Sequence, residues 1–424
     1  MATRQMGEEL AENGSATWSW DDPNRWFWQR PGLEIHDHRL VVCGRDAASL
    51  AREQGTPLYV YDLARIAAKV TGLREALERT GLRSELRFAL KANHNREVLE
   101  VIRACGAGID ACSPGEVELA LEAGFDAEQV SFTGTNLTDG DLDRILASGA
   151  HINVDLLSQL RRYGRKAPGT AVGIRINPRS GGAYGGSGET LYSGSRPTKF
   201  GIYLEDLDQA VAIAREHDLT IDTLHMHVGD GFLGQGLEGF EAALETMASV
   251  ARRLKEAGSP IREINAGGGL GVPQRPGDVP LDVDAYAGVL ARTLGALDVT
   301  VTCEPGDYLV KDSAVLLCEV VTVEQRLGTL FVGVNLGWNV MPDPFIYRIF
   351  HDIVLCRAAD APPSVEVTVS GHINEGDDLF AEAHPLPPVE EGDVLAIVDV
   401  GGYHQGMTSR HCLREAPPSL FLNG

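Results

Sequence analysis

From Pro57 onward, short apolar or β-branched runs alternate with stretches of helical period. Leu58-Tyr59-Val60-Tyr61 precedes the amphipathic stretch 63–80, and Leu86 to Leu90 precedes 96–104. Gly108-Ile109-Asp110 precedes 114–124, Val130-Ser131-Phe132 precedes 139–148, and His151 to Val154 precedes 155–164. Val172 to Ile176 precedes 204–216, and Thr220 to His227 precedes the long helical pattern 236–257. Ile261 to Ala266 precedes 283–294, and Val299 to Cys303 closes the series. Runs of this length followed by amphipathic helices predict an α/β architecture, a (β/α)8 barrel over 57–304, with a doubly wound sheet as second choice. No repeat of solenoid type interrupts it.

After Glu304 the texture changes to strands and turns: Ala314 to Thr322, Thr329 to Val334, Val365 to Ser370 and Val394 to Val398. This predicts a second, β-rich domain over 305–424, a barrel or sandwich. The stretch Leu40-Val41-Val42 within 31–56 is expected to join it. Residues 1–30 read as a lead-in whose Trp18, Trp20, Trp26 and Trp28 anchor it to the body or to a partner subunit, in preference to forming a cation cage.

Four chemical features fall just after predicted strands, where a barrel places its reactive groups. These are Lys91 in Arg87-Phe88-Ala89-Leu90-Lys91-Ala92-Asn93, His227 in His225-Met226-His227-Val228-Gly229, the loop Gly267-Gly268-Gly269-Leu270-Gly271, and Glu304 in Cys303-Glu304-Pro305-Gly306. An amine, a flat imidazole, a glycine loop and a carboxylate together suit pyridoxal phosphate. The amine forms an imine, the ring lies on the imidazole, backbone N–H groups hold the phosphate, and the carboxylate keeps the pyridine nitrogen protonated. His225 and His227 could instead be two metal ligands of a barrel hydrolase, but no third His or Cys matches them, and no metal is expected. The glycine-dense segment Ser180–Gly188 lacks the Gly-Lys-Ser/Thr ending of a nucleotide loop and reads as a mobile loop near the barrel mouth.

Composition narrows the surroundings. A chain of 424 residues suggests two domains, and a hydrophobic share of 43% is that of a globular protein. No apolar run has membrane-spanning length, and the acidic start does not resemble a signal peptide. Seven cysteines without a C-x-x-C pair indicate neither a disulfide framework nor a zinc knuckle, so a cytoplasmic location is expected. A net charge of −23 argues against nucleic acid or anionic membrane as partner. Solvation of an acidic protein is its main cause, though it also suits cationic small molecules.

With these residues in view, the chain resembles the fold-type III pyridoxal-phosphate decarboxylases, the diaminopimelate, ornithine and arginine decarboxylase family, whose barrel is alanine-racemase-like. The resemblance spans roughly 35–415 and adds Asp110-Ala111-Cys112-Ser113-Pro114-Gly115-Glu116, Lys199-Phe200-Gly201, Glu375 to Asp378 and Asp399-Val400-Gly401-Gly402-Tyr403. It implies that Lys91 holds the coenzyme, His227 stacks on its ring and Glu304 pairs with the pyridine nitrogen. Gly267, Gly268, Gly269 and the Tyr403 hydroxyl would hold the phosphate. It further implies a homodimer with shared sites, the Glu375 segment being supplied in trans. An acid at the pyridine nitrogen makes the ring a full electron sink, which favours decarboxylation over racemisation; the related racemases place an arginine there.

Four departures from that pattern matter. The family's Cys-Glu is here Gly371-His372-Ile373-Asn374-Glu375, and an asparagine amide cannot replace the cysteine that protonates the carbanion. His372, Lys91 or a held water must do so, unless the reaction ends differently. The usual Glu-Pro-Gly-Arg is Glu304-Pro305-Gly306-Asp307, and Gly-Ser is Gly229-Asp230, so two acids stand where phosphate contacts belong. They are expected to turn outward or to pair with Arg175 or Lys199. Finally, Met341-Pro342-Asp343-Pro344-Phe345-Ile346-Tyr347 puts Asp343 where diaminopimelate decarboxylases carry a carboxylate-gripping arginine. With Tyr347 and Glu375 it would contact a substrate whose distal group is cationic, in a specialised biosynthetic pathway. The alternatives are diaminopimelate decarboxylase proper, an epimerase or decarboxylation-coupled enzyme, and a non-catalytic vitamin-B6-binding scaffold.

Overall fold

The computed structural model describes residues 25–181, 192–194, 196–234 and 237–424. Eight parallel strands close into a barrel in the order Ser84–Ala89, Gly108–Ala111, Val130–Gly134, His151–Val154, Ala171–Asn177, Thr220–His225, Glu263–Asn265 and Thr300–Cys303. The last returns to the first, with Val301 opposite Ser84 and Cys303 opposite Leu86. A short strand, Ile202–Tyr203, lies beside Ala171–Asn177. The barrel strands are apolar on both faces because helices cover them outside and side chains fill them inside; Phe88, Ile109, Phe132, Val154 and Ile174 are all fully enclosed.

Helix boundaries follow local chemistry. Asp62 accepts from Arg65 N–H at the start of Leu63–Arg79, and Ser113 caps Pro114–Glu122, whose proline occupies the first turn without wasting a donor. Thr138 and Asp141 form a reciprocal capping box on Asp139–Ser148. The caps at Ser113 and Thr138 place helix starts shortly after barrel strands and so limit the length of those loops at the barrel mouth.

The second domain is built around the long strand Ala314–Arg326, which pairs with Val394–Val398, Thr329–Val334 and Leu58–Asp62. Its core includes Tyr59, Leu316, Val332, Val367 and Ile397. Leu58–Asp62, expected as the first barrel strand, therefore belongs to this sheet, where the C-terminal strand Ser419–Leu422 pairs along its other edge. The barrel begins at Ser84. The stretch around Leu40 joins the β domain by packing rather than by strand pairing. Leu33–His36, Arg39–Val42 and Arg45–Asp46 make their own antiparallel sheet, and Leu33, Leu40 and Val42 share a core with Val315, Leu317 and Val398. Trp28 anchors the lead-in: it is buried, and its indole N–H donates to Asp352 at 2.8 Å. Trp18 and Trp20, and most of the glycine-dense segment, lie outside the described residues.

Candidate active site

Lys91 is presented by a single turn of 3-10 helix, Leu90–Ala92, that follows the first barrel strand. Leu90 and Ala92 are buried on either side, while Lys91 itself reaches solvent just beyond the strand end. Asn93 locks that turn. Its side chain donates to Gly401 O at 2.8 Å and accepts from Asn95 N–H at 2.9 Å, while Tyr403 N–H donates to Ala92 O at 2.8 Å. The same bonds hold Tyr403 in a left-handed conformation, φ +60°, which a bulky residue adopts only when its surroundings impose it. Lys91 and Tyr403 are thus brought together by the backbone joining the two domains.

Burial works against the Lys91 ammonium, but Tyr403, Asp110, Cys112 and Tyr192 around it outweigh that and move its pKa upward. Asp110, at the end of the second barrel strand, is pushed far above the carboxylate range by burial and by Glu304, with Lys91 pulling the other way. Asp110 therefore senses both the amine and Glu304.

Glu304 sits just beyond the last barrel strand and is enclosed. Burial alone would neutralise it, yet its pKa falls to about 2, because His225, Asn265 and the Arg87 charge more than compensate. His225 Nε2 lies 2.9 Å from Oε2; the Ser131 hydroxyl donates to Oε1 at 3.2 Å, and the Asn265 amide donates to the same oxygen. A carboxylate so surrounded stays charged without solvent. His225, read from sequence as a possible metal ligand, instead supports Glu304. Ser131, Asn265 and Asp110 were not singled out from sequence for a role; the signal was there, as polar residues in strands otherwise filled with Val, Ile and Phe.

His227 lies two residues beyond its strand. Burial, then Lys91, Arg175 and His225, hold its pKa well below the ordinary histidine value, so it is a neutral ring suited to stacking. Tyr192, also missed from sequence, meets it edge-on at 4.6 Å between centroids. The glycine loop is constrained by space. Gly267 and Gly269 adopt φ of +71° and +95°, and a Cβ on Gly267, Gly268 or Gly269 would strike Met226 O, Glu304 O or Gly229 O respectively. Only a side-chain-free backbone lets these three strand ends converge, and that leaves a cradle for an anion.

The two unusual acids lie beside this cradle. Asp230 reaches solvent in part and lies close enough to Asp307 to be repelled by it. Asp307 pairs neither with Arg175 nor with Lys199. Its partner is Lys311, buried one turn on, with Nζ at 3.5 Å from Oδ2. Arg175 is committed to Asp155 at 3.3 Å, and Lys199 lies 4.9 Å above the Phe200 ring. Burial raises the pKa of both acids, the mutual repulsion of Asp307 and Asp230 adds to it at Asp230, and Lys311 opposes it at each.

The expected substrate residues divide. Tyr347 is exposed and close enough to Tyr192 to act on its charge. Asp343 is not available to a substrate: it is fully enclosed and held by His351 and His404, because the short helix Asp343–Ile346 turns its carboxylate inward. Asn374 and Glu375 are exposed on the loop after Val365–Ser370, with Glu375 2.8 Å from His411 Nε2. His372 is half-buried, and burial with Arg414 lowers its pKa to about 4, so at neutral pH it has no proton to give.

Lys91, ionised Glu304, neutral His227 and the glycine cradle fit pyridoxal phosphate in charge and in shape. Comparison with known proteins agrees. Residues 63–311 match the family model described as pyridoxal-dependent decarboxylase, pyridoxal binding domain. The diaminopimelate decarboxylase of Methanothermobacter thermautotrophicus is 37% identical over 402 residues, 92% of each chain, and that of Streptomyces coelicolor 34% identical over 90% of this chain and 88% of its own. The crystal structure of the M. jannaschii diaminopimelate decarboxylase in complex with L-lysine superposes with a TM-score of 0.84 at 27% identity, covering 92% of each chain. The chain belongs to the pyridoxal-dependent decarboxylase family, fold type III, and is a carboxy-lyase that uses pyridoxal phosphate.

Proposed function

We propose that the protein decarboxylates an α-amino acid whose far end carries a cationic group, an amine or a guanidinium, with Lys91 holding the coenzyme and later returning a proton to Cα. The observation that carries this reading is that Lys91 and a Glu304 kept ionised by His225, Ser131 and Asn265 both act on the same buried Asp110. When bound, pyridoxal phosphate supplies an electron sink for the pair left at Cα as carbon dioxide departs. Glu304 stabilises positive charge at the ring nitrogen, and His227 offers a flat neutral surface to the ring. Gly267, Gly268, Gly269 and the Tyr403 hydroxyl, kept protonated by burial, hold the phosphate end. With His372 deprotonated and Asn374 too weak an acid, Lys91 Nζ is the donor best placed by chemistry to return the proton.

Two supports for a cationic distal group were read from sequence. Asp343 is enclosed and drops out; the exposed Glu375 remains, together with the lack of an arginine in the Met341–Tyr347 run. We infer that Glu375 and Asn374 serve the site of a second copy of this chain, in a homodimer, and that Tyr347 lines its mouth. A cytoplasmic location is consistent with seven free cysteines and with a described chain in which no helix is long and apolar enough to cross a membrane. The relatives favour a second reading, diaminopimelate itself, which also carries a distal ammonium group.

The test is carbon dioxide release from diaminopimelate, ornithine, lysine and arginine under identical conditions. The proposal expects the highest kcat/KM on a substrate without a second carboxylate. A clear preference for diaminopimelate selects the second reading, and no release from any of them removes both.

A further inference from the structure

Asp343, His351 and His404 meet beneath the Tyr403 loop, in a place the coenzyme site does not use. All three are enclosed, at 0%, 8% and 1% exposure. His351 Nδ1 lies 2.9 Å from Val398 O; a carbonyl can only accept, so the ring proton sits on Nδ1 and Nε2 faces Asp343 Oδ2, also at 2.9 Å. An imidazole that donates one N–H to a backbone carbonyl and turns its other nitrogen toward a carboxylate is arranged as metal-ligating histidines usually are.

His404 adds an independent observation. Its Nδ1 is 3.1 Å from Asp343 Oδ1, yet the two do not align as a hydrogen bond. Among the described residues, both ring nitrogens of His404 and Oδ1 of Asp343 are buried without a hydrogen-bond partner. Oδ1 of Asp343 and Nδ1 of His404, 3.1 Å apart and both unsatisfied, are costly to bury unless something between them is held. Ligand atoms that converge on an ion sit close together and point past one another, and around tetrahedral zinc, with bonds of about 2.0–2.1 Å, they are roughly 3.4 Å apart. Here one atom from each residue lies within 4.8 Å of the others. The local charges lean the same way: Asp307, Asp343 and Asp399 all act on the Lys311 ammonium, 3.5 Å from Asp307, and Arg30 lies 2.8 Å from Asp399, so these three carboxylates share these two cations.

We propose that Asp343, His351 and His404 bind one divalent transition-metal ion, of which zinc suits two imidazoles and a carboxylate best. The ion is structural. It ties His404, the neighbour of Tyr403, to the helix that ends beside Tyr347, and so fixes two tyrosines of the coenzyme site from behind. It takes no part in the decarboxylation and does not depend on which substrate is used.

The experiment uses the pyridoxal-phosphate-loaded full chain without a histidine tag, stripped by chelator and then titrated with zinc. The expected result is about one zinc per chain by elemental analysis and a thermal midpoint several degrees higher with zinc than with chelator. Cobalt in its place gives visible ligand-field bands. Stoichiometric metal, midpoint shift and bands all disappear in His404→Ala and in Asp343→Asn. Less than roughly a tenth of an equivalent of zinc on the native chain, with a midpoint that zinc does not move, overturns the proposal and leaves a water or an imidazole pair in that place. Equal zinc binding by His404→Ala overturns it as well. Should either variant fail to fold, the native chain's stoichiometry and midpoint decide alone.

Discussion

In the coenzyme site proposed above, the two ends are built by opposite means. At the nitrogen end every polar group around Glu304 agrees: Ser131 and Asn265 donate, His225 faces the second oxygen, and Arg87 adds charge from behind. At the phosphate end two carboxylates stand beside an anion cradle, and a buried Lys311 answers one of them. The nitrogen end sets the electron sink, so its design follows from the reaction itself. The phosphate end only holds the coenzyme, and holding tolerates substitution as long as charge is compensated nearby. The first end should thus govern turnover and the second affinity and stability.

The largest effect is expected from Lys91→Ala. Loss of both the covalent attachment and the proton donor lowers decarboxylation by on the order of 10³-fold. The check is borohydride labelling followed by peptide mass analysis, which should lose the modified peptide. Glu304→Gln should lower kcat by about 10²-fold with KM little changed, since the charge matters where positive charge is held during reaction. A variant with raised KM and intact kcat would break the division between the two ends. Lys311→Met should cost about 1–3 kcal/mol in chemical denaturation, because it leaves the half-buried Asp307 without its cation. Adding Asp307→Asn should recover most of that loss, which shows the cost to be charge and not packing.

How much of this was legible from sequence depends on how local each determinant is. The barrel was readable because each strand is a short apolar run followed by an amphipathic helix; the helix expected over 63–80 is Leu63–Arg79. Leu58–Asp62 carries the same pattern, yet its partners are Leu317 and Ser419, far along the chain, and no local pattern says which sheet a strand will enter. Lys91, His227 and Glu304 were readable because strand ends are where barrels carry chemistry. Asp343 was misplaced for the converse reason. Its position in a motif suggested contact with substrate, while its neighbours are His351, eight residues on and hydrogen-bonded to it, and His404, sixty-one residues later, which only folding brings near. The pairing of Asp307 with Lys311 was within reach, since four residues is one helical turn, whereas Arg175 and Lys199 are distant in sequence and are engaged elsewhere in the fold.

The smallest effect probes the phosphate end by pH. Burial raises the pKa of Asp307 and Asp230, so each holds a proton to higher pH in the folded chain than in the unfolded one. The sign is opposite to that of a salt-bridged acid. The stability each carboxyl contributes is complete below its unfolded pKa and is lost as pH rises through the higher folded value. A bound phosphate raises both values further. Coenzyme affinity should therefore weaken as pH rises from the ordinary carboxylate range toward neutrality, over and above the phosphate's own ionisation. Asp307→Asn should remove most of that slope and tighten binding at neutral pH by about tenfold, while the exposed Asp230→Ser should change it by only about twofold. Fluorescence titration of the apoprotein with pyridoxal phosphate from pH 5 to 8 measures both. A slope that survives unchanged in Asp307→Asn would mean that Lys311 already cancels this charge completely, and the contrast between the two ends would shrink to one of geometry.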